Sequence, residues 1–308
     1  MTKTEKTSLR ALTLVLKSLG LIPQNRAKQL SSIIGRILYT LDKRHRTIAL
    51  DNLAMVFGDE KSASEIKMIA KDVFENISMM IFEIAWSLSL REKDFFRYFS
   101  LKNVSNFKNA CQKNKGVLLL SAHVGNWELL TVSFATLNHP VNPIYRPLDN
   151  LILDQLVLNI RERFGSKLIP KARSMQKILK CLKQGHAVGL GIDQNVDWYE
   201  GVFVDFMGTP ACTSRGTALL AMKSGAPVVP VFMIHEKGKF TAEFGPEVPL
   251  IKTGDKTKDI EENTRQYNAV IGNFVRRYPN RWFWVHQRWK TKPYQPWPGK
   301  TSEPDKCR

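Results

Sequence analysis

The chain has 308 residues, enough for one large α/β domain or two small ones, and 43% of them are hydrophobic, which excludes a disordered chain. Its 46 Lys and Arg against 28 Asp and Glu leave a formal charge of +18, which points to an anionic partner: nucleic acid, an anionic membrane surface, a phosphorylated substrate or an acidic protein. Cys111, Cys181, Cys212 and Cys307 are scattered without a C-x-x-C, which fits free thiols in a reducing compartment and argues against a zinc site.

The N-terminus shows no signal pattern with a small-residue cleavage site. Residues 9–22 are its most apolar part, but Arg10 and Lys17 interrupt them. They are also too few to span a bilayer, which takes roughly 20 apolar residues. Leu9, Leu12, Val15, Leu16 and Leu19 recur at helical spacing beside Lys6, Arg10 and Lys17, so a basic amphipathic helix is expected. It either lies in a membrane interface or packs on its own domain. The first 50 residues carry ten Lys or Arg and two acids, which favours the membrane. Further helices are expected over 27–41 and 47–57. Ser62 and Glu65 have capping-box spacing and open another helix, which runs through Ile66, Ile69, Ala70, Val73, Phe74 and Ile77 towards Trp86.

From about residue 116 the pattern alternates between strand and helix. Strand 117–122 precedes helix 127–137, and strand 141–145 precedes helix 151–164. A short strand at 167–169 precedes helix 174–184. Strand 187–192 leads into a long loop and a helix over 214–224. Residues 202–208 are apolar for a loop, and either wall an acyl pocket or form a strand. Strands 227–234 and 239–244 read as an antiparallel hairpin, followed by helix 260–277 and the aromatic run 282–285. The pattern predicts an α/β fold: a mixed, largely parallel central sheet flanked by helices. It also divides the chain into a helical, membrane-proximal N-terminal region (1–100), an α/β domain (101–292) and an irregular, proline-rich basic tail (293–308).

The most informative stretch is 118–130. An apolar strand ends at His123, turns through Gly125, which tolerates positive φ, and enters a helix for which Asn126 is a good N-cap. Glu128 then falls in the first helical turn, from which its carboxylate can reach back to His123. Such a pair is a base able to take a proton from a hydroxyl. On spacing alone, a hydrogen-bonded core histidine and a helix-stabilising glutamate fit equally well. Other polar residues also fall at strand ends: Arg146 after 141–145, and Asp193 and Gln194 after 187–192. In a parallel sheet all of these share one edge. Arg161 and Arg163 close a helix and either complement its dipole or join Arg146 in an anion cluster. A complete dinucleotide fingerprint, a P-loop, a G-x-S-x-G elbow and an H-E-x-x-H motif are all absent.

The stretch Ala122-His123-Val124-Gly125-Asn126-Trp127-Glu128 resembles the H-x4-(D/E) block of glycerolipid-type acyltransferases. Its G-N-W-E form resembles the late acyltransferases of lipid A biosynthesis, the lauroyl/myristoyl transferase family. Other blocks agree in order: residues 144–150, the Arg161–Gly165 run, 191–194 with 203–208, 226–230, Tyr278-Pro279 and 282–290. Asn52, Leu53, Phe57 and Glu65 fit as well, so the resemblance covers nearly the whole chain.

The resemblance implies transfer of a fatty acyl group from acyl carrier protein to a hydroxyl of a phosphorylated, acylated glucosamine lipid. By that analogy His123 is the general base and Glu128 orients it, and the hydroxyl attacks the thioester directly. Arg146, Arg161 and Arg163 would bind phosphate or the carrier's acidic face, Asp193 would organise the site, and Asp193 and Gln194 join the arginines as expected substrate-binding residues. No cofactor and no metal are expected, the donor being an acyl-carrier-protein or acyl-CoA thioester. The expected partners are acyl carrier protein, an anionic membrane surface and the phosphorylated glycolipid acceptor, at the cytoplasmic face of the inner membrane. Family members commonly carry a clearer hydrophobic N-terminal anchor. Here charges break it, and interfacial attachment is expected. Two other readings are an acyl-CoA-dependent acyltransferase for another lysolipid or glycolipid, and a basic nucleic-acid-binding protein suggested by the interleaved aromatic and basic residues of 281–290. Polar residues gathered at strand ends favour the enzyme.

Overall fold

A computed structural model describes residues 1–137, 139–236 and 238–293; the expected tail lies, but for residue 293, outside the described residues. Four helices come first: α1 (Lys3–Leu19), α2 (Gln24–Leu41), α3 (Lys43–Phe57) and α4 (Ala63–Ser87). Capping boxes open α1 (Thr2 with Glu5) and α4 (Ser62 with Glu65). α4 is the spine on which the other three pack. α2 meets it through small residues. A Cβ on Gly35 would stand 2.5 Å from the Glu75 Cα, so the two backbones approach closely there.

The apolar stripe of α1 is half-buried: Leu9, Leu12, Leu16 and Leu19 turn inward, and the helix packs on α4 and α8 (Leu151–Glu162). The helix thus packs on its own domain along this side, while Leu14 and Val15 stay exposed.

Seven strands make the central sheet, in the order β1 (Phe99–Lys102), β9 (Lys239–Phe244), β8 (Val228–Glu236), β2 (Val117–Ser121), β5 (Ala187–Gly191), β3 (Val141–Tyr145) and β4 (Ile169–Pro170). Only the β8–β9 hairpin is antiparallel, as expected for a mixed, largely parallel sheet. β2 lies centrally and is buried on both faces, which is why it reads as an unbroken apolar run and not an alternating one.

Three features differ from the expectation. β1, α5 (Phe95–Tyr98) and α6 (Val104–Cys111) occupy a stretch given no elements. The expected helix 127–137 is one 3₁₀ turn (Trp127–Leu129), the short α7 (Leu130–Phe134) and a second 3₁₀ turn (Ala135–Leu137). The long loop after β5 contains a second, two-stranded sheet, β6 (Gly201–Phe206) paired with β7 (Thr209–Ser214), so the strand reading of 202–208 holds. It turns at Met207 and Gly208, both at positive φ (58° and 93°), as a tight hairpin requires. The aromatic run 282–285, for which no element was expected, forms turns and one bridge, Val124 to Trp282.

Helices α9 (Met175–Lys183), α10 (Gly216–Ser224) and α11 (Lys256–Arg277) complete the layers around the sheet. One core spans the boundary drawn near residue 100. Leu53, Phe57 and Phe74 of the N-terminal helices cluster with Leu118 and Leu120 of β2 and with Trp282 and Trp284. Asn52 Nδ2 donates to the carbonyls of Trp284 and His286, each at 2.8 Å, fastening α3 to the C-terminal segment.

Candidate active site

β2, β5 and β3 are parallel neighbours, so the residues following them emerge at one edge of the sheet. The shared edge expected for His123, Asp193, Gln194 and Arg146 is therefore real. The local turn after β2 follows from Gly125, which has φ of +60°. Its amide donates to the Arg281 carbonyl at 2.8 Å, and the Phe283 amide donates to the His123 carbonyl at 3.1 Å. The C-terminal segment thus clamps the histidine loop from both sides.

His123 is held by Asp193. The ring Nδ1 lies 2.8 Å from Asp193 Oδ1, and the His123 amide donates to Asp193 Oδ2 at 2.9 Å. Trp282 Nε1 adds a third bond to the same Oδ2 at 2.7 Å. Burial disfavours a charged imidazole, but the Asp193 carboxylate outweighs it, with Glu128 adding to the field, and the pKa rises above its ordinary 6.5. Burial also opposes an ionised Asp193; the charge and hydrogen bonds of His123, helped by Trp282, reverse that and hold its pKa at about 2. With Nδ1–H donated to the carboxylate, the neutral ring presents Nε2 as a proton acceptor. The Gln194 carboxamide nitrogen sits 3.4 Å from that Nε2. Trp127 packs edge-on to the imidazole with centroids 4.8 Å apart, which leaves the ring little freedom to turn.

The expected contact between His123 and Glu128 does not form. Glu128 takes the forked guanidinium of Arg161, with Nε and Nη2 each 2.6 Å from a carboxylate oxygen, and Trp127 Nε1 donates to it at 3.0 Å. A planar two-bond pairing with a full positive charge is the stronger claim on the carboxylate. Arg161 is therefore already neutralised, although both residues line the cavity described below.

Arg163 also departs from its expected place. Its guanidinium donates to the carbonyls of Ser87, Leu88 and Leu90 and stacks over Phe164, closing the end of α4 in place of facing the site. Asn126 does not cap the following helix. It is buried and donates to the Glu83 carboxylate at 2.8 Å, while His235 Nδ1 meets the other Glu83 oxygen at 3.0 Å. This cluster ties the histidine loop to α4.

His123, Gln194, Arg146, Glu128 and Arg161 border a cavity of about 920 Å³. Apolar side chains, among them Leu119, Leu130, Phe134 and Val231, form part of its wall, and Lys171 and Arg173 also line it. Lys171 is paired with Glu200 at 2.7 Å. Among the described residues, Arg146 and Arg173 have no carboxylate partner. An apolar chamber with a proton acceptor at its wall suits a long alkyl chain and a reacting hydroxyl.

Sequence reasoning gave no role to Trp282, Glu83, Arg288 or Arg173. Trp282 and Arg288 lie in the block 282–290, whose density of aromatic and basic residues was the available signal. Arg288 is fully buried, and burial pushes its pKa down to about 10. It donates to the Cys212 carbonyl at 2.7 Å and to the Thr213 hydroxyl, bracing the β6–β7 hairpin.

A family model described as bacterial lipid A biosynthesis acyltransferase matches residues 3–291. The chain is 26% identical over 267 residues to a lipid A biosynthesis palmitoleoyltransferase of Escherichia coli strain K12, covering 86% of this chain and 85% of that one. It is 27% identical over 266 residues to the lipid A biosynthesis lauroyltransferase of the same organism, covering 84% of each. A more distant similarity, 22% over 191 residues and 61% of each chain, is to a phosphatidylinositol mannoside acyltransferase of Mycolicibacterium smegmatis.

Proposed function

Because the chain belongs to the bacterial lipid A biosynthesis acyltransferase family and is an acyltransferase, we propose that it moves a fatty acyl chain from acyl carrier protein to a hydroxyl of a lipid A precursor, with His123 as general base. The observation that carries this reading is His123 at the wall of a largely apolar cavity, with Nδ1 held by Asp193 and Nε2 turned from the carboxylate towards Gln194.

In this mechanism the acceptor hydroxyl gives its proton to His123 Nε2 as its oxygen attacks the thioester carbonyl carbon. The tetrahedral intermediate collapses with cleavage of the C–S bond, and the imidazolium returns the proton to the departing thiolate. Asp193 stabilises the imidazolium and fixes the ring. No enzyme nucleophile takes part. Gln194 is placed to hold the hydroxyl beside Nε2. The role first given to Glu128, orienting the base, passes to Asp193; Glu128 instead anchors Arg161 at the cavity. Among the described residues Arg146 is the one of the three expected arginines with neither a carboxylate nor a carbonyl partner, and it takes an anionic group of the acceptor or the carrier. The net charge of +18 favours approach to carrier, acceptor and an anionic membrane face, so the protein works attached to the cytoplasmic surface of the inner membrane.

Purified enzyme incubated with acyl-acyl carrier protein and a lipid A precursor, with the product read by mass spectrometry, tests this. Transfer is expected from the wild type and lost in His123→Ala. Retained transfer in that variant overturns the mechanism. The similarity to a phosphatidylinositol mannoside acyltransferase supports a second reading, an acyl-CoA-dependent transfer to another glycolipid. Faster transfer from acyl-CoA than from the carrier, to a glycolipid other than the lipid A precursor, would favour it.

A further inference from the structure

α2 is built the wrong way round for a helix that faces water. Its buried side consists of Ala27, Ser31, Gly35 and Tyr39, whereas its large aliphatic residues point away from the protein. Leu30, Ile33, Ile34, Ile37, Leu38 and Leu41 are between 39% and 73% exposed. They recur at helical spacing and form one stripe along the helix. The opposite assignment is physically fixed. Ser31 meets Met79, the Gly35 backbone meets Glu75, and Tyr39 meets Phe74 edge-on at 5.5 Å, all on α4. The helix cannot roll its aliphatic side inward without losing the close approach that only Gly35 permits. Single exposed aliphatic residues are ordinary, but a continuous stripe of six marks a surface that is covered in use.

We propose that this stripe of α2 is the membrane-docking face, lying in the headgroup region of an anionic bilayer with the helix parallel to the surface. The inference rests on the membrane attachment proposed above and assigns the lipid contact to α2, since the apolar stripe of α1 is half-buried against α4 and α8. Charge argues for a bilayer over a second copy of the chain. Arg26 and Lys28 stand exposed in the first turns of α2, and Lys43 and Arg44 stand exposed just beyond its end. Two copies docked through this face would bring like charges together, whereas anionic headgroups neutralise both ends of the stripe. Among the described residues no helix is long and apolar enough to cross a membrane, which fits a helix lying in the interface.

The placement also links membrane to chemistry. α4 meets Ser31 through Met79 and, one turn later, holds the His123 loop through Glu83 and Asn126. The docking helix and the catalytic loop thus grip the same short length of one helix.

Sedimentation with vesicles of equal parts phosphatidylglycerol and phosphatidylethanolamine tests the proposal. Ile33→Glu/Ile37→Glu is expected to reduce the bound fraction by about tenfold or more, and Ile33→Ala/Ile37→Ala to reduce it less. Both variants should keep the thermal midpoint of the wild type and its transfer to a detergent-dispersed acceptor. Undiminished vesicle binding by the glutamate variant overturns the proposal, as does a wild type that does not bind these vesicles. A lipid-free wild-type dimer that becomes monomeric in the glutamate variant, seen by light scattering, overturns it in favour of a second copy. Absence of acyl transfer by the wild type in detergent, with the vesicle result intact, counts against the proposed reaction and leaves the docking face standing.

Discussion

Asp193 grips His123 twice, accepting the ring Nδ1–H on one carboxylate oxygen at 2.8 Å and the backbone amide on the other at 2.9 Å. The two bonds fix both the tautomer and the direction of the ring. Asp193→Asn keeps the shape but removes the charge and offers an amide where Nδ1–H needs an acceptor. kcat/KM is expected to fall about a hundredfold or more. In the wild type the acid limb of the pH profile should lie above 6.5, because the carboxylate raises the imidazole pKa against burial. In Asp193→Asn burial is opposed only by the weaker field of Glu128, so the limb should move to lower pH. A merely structural role would lower the whole profile without moving it, and an unmoved limb would count against this pairing.

The same pair makes stability depend on pH in two opposite senses. The folded Asp193 pKa, about 2, lies below its unfolded 3.8, so its contribution is present above 3.8 and is lost as pH falls towards 2. The folded His123 pKa lies above 6.5, so its contribution is present below 6.5 and is lost as pH rises through the folded value. The pair should therefore stabilise most between these limits, by about 2 kcal/mol. Urea unfolding of the wild type and His123→Ala across pH measures it. The stability gap between them should narrow at both ends, and a gap independent of pH would contradict the coupling.

Glu128 and Arg161 are 15% and 20% exposed in their side chains, so each is costly without the other. Glu128→Gln should cost about 2 kcal/mol of stability, discounted for partial exposure. Arg161→Met should cost less, since it leaves a carboxylate that still accepts from Trp127. A double-mutant cycle measured by urea unfolding should show coupling of about 1–3 kcal/mol. Both variants should lower kcat/KM while moving the acid limb less than Asp193→Asn does. If Glu128→Gln moves it further, Glu128 is the dominant carboxylate after all.

How much of this was legible depends on distance along the chain. The strand leading to His123 was plain because a central parallel strand is apolar on both faces. Glu128 drew attention because it stands five residues from His123. Asp193, the actual partner, is 70 residues away, and only the sheet order brings β2 and β5 side by side. Amphipathic spacing in α1 could not say which surface its stripe would meet, since lipid and α4 look alike to a hydrophobic period. The β6–β7 hairpin was hidden because Pro210 and Ala211 interrupt the β pattern of its second strand, although Phe203 and Val204 hinted at the first. Arg163 looked like Arg161 in sequence; only the end of α4 decides that its donors are consumed by carbonyls.

The turn that presents His123 depends on Gly125 for two separate reasons. Its φ of +60° is a conformation that other residues resist, and a Cβ there would stand 2.2 Å from the Met233 carbonyl oxygen. That carbonyl belongs to β8, a neighbour of β2 in the sheet, and cannot yield without disturbing the ladder. Gly125→Ala should therefore cost about 3 kcal/mol or more and reduce acyl transfer in whatever protein still folds, because the turn carries the catalytic histidine. Gly208→Ala is the control. Its φ is +93°, yet nothing lies within 4 Å of the added Cβ, so only backbone strain of about 1 kcal/mol is expected. Urea midpoints for the two variants separate steric exclusion from strain. Equal losses would mean that the contact with β8 contributes nothing to holding the histidine loop.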